Sequence, residues 1–537
     1  MEQIRKIGEA LMRINGEKWL LVSGNILLGL FFIILANVGV LPLDTVHFFF
    51  FSFIGFLFAL YRPAWAFLLL VGFLPYEAVN LAPEAWGMDL RPYQLAVVLL
   101  SLALLARLAM KKLSWKFFRL SWIDILPGIV GIGAFLAVPF APDAGTALRQ
   151  AVIVASFGLL YFLLRQFLRK EENIRHIEPF FLGSASVVFA YTIWQSFRMQ
   201  AGQAAFTTMV GRPNGTFVEA DWLGLFAAFI IIFILARVFA HIQKSTLRAM
   251  DVVRTEGIFL AVRLGILTLG FGALLLSLSR SAWLGVVAGF GLLLSFAALG
   301  VFRKAFPRQT LAVVSGLAAA SFFLALASVH FFHLTAFDLS SRAESTASGL
   351  QLITISCERE TALPESIGTT DELAQYGCRH INLEEKESER ALGHSVTEIF
   401  RQDPNVSIRK MIFLRSFSLI REHWAFGIGW GNAPLFLGSD ERGAGLNTSN
   451  MFLEVWLGSG LLGFAAFLLF WFWILTASVR ELARSAWGNA SQLLVISLWG
   501  VLTVFNLFNA GLLMALLFLF LALTVLILPK PFQTKKI

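Results

Sequence analysis

The stretch Leu274–Phe290, LLLSLSRSAWLGVVAGF, sets one arginine, Arg280, between two apolar runs that each read as long enough to cross a membrane. A spanning helix needs about 20 predominantly apolar residues, and lipid offers no partner to irregular backbone, so such runs read as a helix bundle. Apolar runs recur near 19–40, 46–61, 64–75, 93–110, 124–140, 149–167, 178–197, 222–240, 264–279, 283–302, 310–332, 451–479, 491–508 and 510–528. Composition agrees. Of 537 residues, 57% are hydrophobic and 14% charged, with a mean hydropathy of +0.74, which excludes a soluble globular chain. The expected fold is all-α, a polytopic membrane bundle of roughly 12 to 14 spans with one large outward loop.

Lysine and arginine in the short loops orient the bundle. With a cytoplasmic N-terminus, the inside loops hold Lys111, Lys112, Lys116 and Arg119; Arg165, Arg169, Lys170 and Arg175; Lys244, Arg248 and Arg254; Arg303, Lys304 and Arg308; and Lys530, Lys535 and Lys536. The alternate loops are nearly bare. The formal charge of +9 is then mostly a topology signal facing anionic inner-leaflet lipid, and no nucleic-acid partner is expected. Residues 1–18 place Ile4, Ile7, Leu11 and Ile14 at helical spacing among charges, as a helix on the cytoplasmic surface would, and show no cleavage pattern of a removable signal peptide. The expected division is a cytoplasmic segment (1–18), eleven spans (19–332), an outward loop (333–450), C-terminal spans (451–528) and a cytoplasmic tail (529–537).

The outward loop carries both cysteines, Cys357 and Cys378. In an oxidising compartment they are expected to form a disulfide, with two free thiols as the alternative. Two cysteines without supporting histidines make a poor zinc site, and no metal or cofactor is expected. Within the loop INLEEKESERALG reads as a solvated helix. The segment QDPNVSIRKMIFLRSFSLIREHWAFGIGWGN reads as an amphipathic surface helix ended by a tight glycine turn.

Three arginines in outward segments violate the positive-inside tendency: Arg212 in GRPNGTFVEADWLG, Arg280, and Arg409 at the head of the surface helix. A guanidinium stays charged and grips phosphate oxygens in bidentate fashion, so converging arginines would cradle an anionic lipid headgroup. Snorkelling or pairing with a carboxylate is the alternative for each. Arg212 has Glu219 and Asp221 close in sequence, whereas Arg280 has no acid nearby.

Four segments together resemble the O-antigen ligase and polymerase family, bacterial membrane enzymes that use polyprenyl-diphosphate-linked glycans. RPNGTFVEADWLG is similar to the family's Arg, Gly-Thr-Phe and a polar residue at the next span, here Asp221 in place of the usual Asn. LSRSAWLG is the second. The third, IRKMIFLRSFSLIREHWAFGIGWGN, has Arg409 and the Gly427, Gly429, Gly431 turn at the family's spacing, with Trp424 where Pro is common. The fourth, SNMFLEVWLGSGLLG, has Ser449 where many members have histidine and Gly458 where many have glutamate.

The resemblance implies a bacterial inner-membrane glycosyltransferase with its site facing the periplasm. Its donor would be a polyprenyl (undecaprenyl) diphosphate-linked glycan, and its acceptor a lipid core, a glycan or a protein. An acceptor hydroxyl would attack the anomeric carbon while the diphosphate leaves, stabilised by Arg212, Arg280 and Arg409. The family's histidine is the natural base, and a serine cannot replace it unaided. Asp221 or Glu219 is the favoured substitute, with pairing to Arg212 as the other reading; His394, His423 and Glu454 are further candidates. The absent histidine tilts the reading toward a polymerase or a divergent exopolysaccharide enzyme.

Asn447 and Asn450, beside Ser449, are candidate hydrogen-bond partners of the glycan, though Asn450 equally suits a helix cap. Trp430, with Trp424 and Trp456, is a candidate to stack on sugars, or else belongs to an interfacial aromatic belt. The competing classes are a lipid-linked glycan transporter or flippase, and a non-catalytic envelope-assembly scaffold. The first would prefer midspan charges and internal repeats, neither of which is visible.

Overall fold

A computed structural model describes residues 16–112, 120–203, 205–206, 212–243, 256–335, 349–359, 361–381, 385–402, 404–439, 445–485 and 487–528. The amphipathic segment expected at the N-terminus and the C-terminal tail lie almost wholly outside the described residues.

Each of the fourteen apolar runs holds a helix. In chain order these are α1 (Gly16–Asn37), α2 (Thr45–Tyr61), α3 (Pro63–Phe73), α4 (Pro92–Ala109), α5 (Trp122–Ala137), α6 (Ala144–Phe167), α7 (Ile174–Gln200), α8 (Ala220–Ile242), α9 (Gly257–Leu276), α10 (Arg280–Phe302) and α11 (Arg308–Phe331). The long loop after α11 follows with α12 (Lys386–Ala391) and α13 (Pro404–Glu422), then α14 (Ala433–Leu437); the chain closes with α15 (Met451–Arg484), α16 (Ala490–Asn506) and α17 (Ala515–Ile527). Among the described residues ten helices are long and apolar enough to cross a membrane, while α2, α3, α16 and α17 are shorter apolar helices.

The short helices α16 and α17 are interior. Nearly every residue of Ala515–Val525 is buried, and α16 packs along α8, α10 and α15. Gly289 of α10 lets the two backbones approach: a Cβ there would stand 2.5 Å from Val501 and 2.9 Å from the Ser497 carbonyl. Helix α8 is the central element, 89% of its apolar window being buried. Arg165, read from sequence as a topology charge, is instead buried in an ion pair with Asp124 at 2.9 Å.

The chain divides into two compact units, Ala336–Ser418 on one hand and Met1–Thr335 with Leu419–Ile537 on the other. The smaller unit corrects the all-α expectation, because it contains a four-stranded sheet of order β2-β4-β1-β3, formed by β1 (Leu350–Cys357), β2 (Ser366–Ile367), β3 (Cys378–His380) and β4 (Ser395–Gln402). β1 pairs antiparallel with β4 and β3, and β2 runs parallel to β4. Ile353, Ile355 and Cys357 alternate along β1 and bury one face against Ile367, Leu373, Cys378 and Ile399. That period of two is the strand signature. Cys357 and Cys378 are cross-strand neighbours in register and are joined by a disulfide. The charged helix in this unit is α12, one and a half turns long.

Candidate functional site

The segment before α8 is held from two sides. Thr216 donates its hydroxyl to the Pro75 carbonyl at 2.6 Å and accepts from the Ala78 amide at 2.7 Å, while Gly215 donates to the Gln195 side chain at 2.7 Å. This fixes Arg212, whose Nε and Nη2 donate to the carbonyl of Ser277 at 2.9 and 2.6 Å. Its Nη2 also meets Asp221 Oδ1 at 3.2 Å.

Ser277 belongs to the second arginine segment. α9 ends there, Leu278 adopts a left-handed φ of +52°, and Arg280 opens α10. That conformation costs a leucine on the order of 1 kcal/mol, and a cation at a helix N-terminus opposes the helix dipole. Gly224 of α8 packs on this turn, a Cβ there reaching within 2.8 Å of Ser279 and 2.9 Å of Ala282. Arg280 is half-buried. The segments carrying Arg212 and Arg280 are therefore parts of one surface.

The Ser449 segment joins them through the loop between α16 and α17. Asn509 donates to Ser281 Oγ at 2.8 Å, and Asn450 donates to the Leu507 carbonyl at 3.1 Å. Gly511 donates to Asn506 Oδ1 at 2.9 Å, and the rings of Trp222 and Phe505 lie 5.8 Å apart. Sequence reasoning assigned this loop nothing. The available signal was NLFNAG, two asparagines inside an apolar run.

Asn450 caps α15: its side chain accepts from the amides of Phe452 and Leu453. Ser449 is half-buried with φ +49°, and its amide donates to Asn447 Oδ1 at 2.8 Å, Asn447 itself being exposed. Glu454 accepts from the Thr448 hydroxyl at 2.7 Å and its amide at 3.2 Å, so it stiffens the same turn.

α15 breaks at Gly460, where φ is +62°, and the freed Leu457 carbonyl accepts from Ile428 and Gly429. The GIGWGN turn thus wraps a helix break. Trp430 is a correction to its expected role in stacking on sugar: it is 3% exposed, with its ring against Gly458 and its indole N–H on Ser459 Oγ at 2.7 Å. The same contact requires a glycine at 458, since a Cβ there would stand 2.4 Å from the Trp430 ring.

Of the other sequence candidates, Glu219 is exposed at the start of α8, and His423 lies near the end of α13 with its ring 6.4 Å from Phe436. Trp456 donates to the Trp424 carbonyl at 3.0 Å and stacks on Phe464. Arg409, on α13, belongs to the smaller unit, as does His394, which contacts Glu389 at 2.8 Å.

Residues 265–468 match the family model described as O-antigen ligase, a stretch that includes Arg280, Arg409 and Ser449 and begins after Arg212. Neither a curated protein nor a solved structure matches the chain. Ten of the described helices are long and apolar enough to cross a membrane, so the chain is a multi-pass membrane protein, and its residues 265–468 are similar to the O-antigen ligase family.

Proposed function

We propose that the protein transfers a glycan from a polyprenyl-diphosphate carrier to an acceptor hydroxyl at the periplasmic face of a bacterial inner membrane. The observation that carries this reading is the contact of the Arg212 fork with Ser277, three residues before Arg280. It brings the segment of Arg212 against the turn that precedes Arg280, although the two lie far apart in the chain. A diphosphate needs about two guanidinium partners, and on this reading Arg212 and Arg280 are the pair.

In the reaction the acceptor oxygen bonds to the anomeric carbon while the bond from that carbon to the phosphate oxygen breaks, its electron pair leaving on the diphosphate. Fixed guanidinium groups stabilise the charge that develops there. The acceptor proton goes to Asp221. Its carboxylate is held in place by Arg212 Nη2. Arg409 is tested beside them on the family resemblance alone.

The test is the size and attachment of lipid-linked glycan in a strain lacking the gene, complemented with wild type, Arg280→Ala or Arg409→Ala. Long chains accumulating on the carrier identify a ligase, and single repeat units a polymerase. Full rescue by Arg280→Ala rejects the reading.

A further inference from the structure

Beside the arginine surface lies a half-open cavity of about 120 Å³ lined by Glu77, Arg91, Phe217, Trp222, Leu513 and Met514. Its polar wall is prebuilt. Glu77 is 6% exposed, accepts from Arg91 Nη1 at 2.6 Å and from the Tyr93 hydroxyl at 3.0 Å, and takes the Ala515 amide on its other oxygen at 3.1 Å. Arg91 also donates from Nη1 to the Tyr93 oxygen at 3.0 Å. Buried ion pairs cost desolvation and rarely add net stability, so one placed at the edge of a cavity calls for a reason.

We propose that this cavity receives an uncharged sugar ring, the one attached directly to the carrier diphosphate. The inference rests on the donor chemistry proposed above and adds the subsite that reads the donor's first sugar. Three observations carry it. The Glu77–Arg91 pair sums to zero charge, so it suits hydroxyl or amide groups, which both donate and accept, better than a phosphate, whose charge Glu77 would repel. The remaining walls are apolar and aromatic, and the half-buried indole of Trp222 offers a face for the apolar side of a pyranose.

The third observation is position. Trp222 follows Asp221, the partner of Arg212, and Phe217 belongs to the same segment. Leu513 and Met514 come from the α16–α17 loop whose Asn509 holds Ser281 beside Arg280. The cavity therefore shares its walls with the segments that carry the proposed diphosphate donors.

The test is equilibrium binding to the full chain in lipid nanodiscs. The probes are undecaprenyl diphosphate bare and carrying N-acetylglucosamine, N-acetylgalactosamine or galactose. Wild type is expected to bind at least one glycosylated probe about tenfold more tightly than the bare lipid, the scale of one well-packed aromatic contact. Trp222→Leu and Arg91→Met are expected to erase that preference while retaining affinity for the bare lipid, whereas Arg280→Ala loses both. Trp222→Leu leaves the ion pair intact and decides the matter if Arg91→Met fails to fold. Equal binding of all four probes by wild type, or an unchanged preference in Trp222→Leu, overturns the sugar subsite and leaves the donor reading standing. Failure of wild type to bind bare undecaprenyl diphosphate overturns the donor reading, and the subsite with it.

Discussion

Arg212 Nη2 lies 2.6 Å from the carbonyl oxygen of Ser277, a contact across 65 residues that ties the segment before α8 to the turn that opens α10. The same nitrogen meets Asp221 at 3.2 Å, so one guanidinium both braces the turn and holds a carboxylate.

Replacing that fork tests whether its geometry or only its charge matters. Arg212→Lys keeps a cation but cannot bridge Ser277 and Asp221 together, and lysine is a point donor where arginine is a planar one. The expected outcome is a loss of roughly 2 kcal/mol in transition-state stabilisation, about thirtyfold in kcat/KM, with expression and melting temperature near wild type. Activity of Arg212→Lys equal to wild type would show that the bridge is dispensable.

Gly458→Glu restores the commoner family residue and should fail here. The new side chain meets the Trp430 ring, and overpacking of a closed site costs about 1–3 kcal/mol or more. The variant should melt well below wild type in detergent. Because the two residues touch, Gly458→Glu combined with Trp430→Ala should be less destabilised than the sum of the single changes.

Asn450→Ala removes the cap of α15 and the bond to Leu507 at once. A lost cap costs about 1 kcal/mol. Asn450→Asp keeps the acceptor oxygen but not the donated bond, so it should recover the stability while leaving activity reduced. If Asn450→Asp is as active as wild type, the tie to the α16–α17 loop has no bearing on turnover.

In the smaller unit, the disulfide closes a segment with a sequence separation of 21. Loop-closure entropy puts its contribution at about 3 kcal/mol. Cys357→Ser with Cys378→Ser should therefore raise hydrogen exchange across β1 and β4, with helix α8 unaffected. Unchanged protection of β1 would mean that the strand pairing holds without the crosslink.

Acid should loosen the same unit. The Ser356 hydroxyl, then His394 and the charge of Arg379, hold the Glu389 carboxyl below the usual glutamate range. A carboxylate depressed in the folded state contributes stability above its unfolded pKa, and that contribution is lost as pH falls through the folded one. Protection of β1 should thus fall below about pH 4 in wild type. Glu389→Gln should show lower protection at neutral pH and a flatter acid response.

The apolar runs alone located the fourteen helices, because burial, in lipid for the long ones or inside the bundle for α16 and α17, demands an uninterrupted apolar sequence and leaves a local record. Arg280 stood out equally locally, since its turn has no acid near it. The sheet of the smaller unit was harder to read: β1 alternates as LQLITISC, but its partners β3 and β4 lie elsewhere in the chain, and charge density hid their pairing. Trp430 and Gly458 each read as ordinary until packing set one against the other.

By itself, then, the sequence determined a helical membrane protein with arginines in unusual places, from features that each lie within one helix or one turn. Only the tertiary structure decided that Arg212 reaches Ser277, that Asn509 ties the α16–α17 loop to Ser281, and that Glu77 and Arg91 stand at a cavity beside Trp222. Those meetings join residues from separate helices and loops. They depend on how closely small residues such as Gly224 and Gly289 let helices approach, a quantity that no local periodicity records.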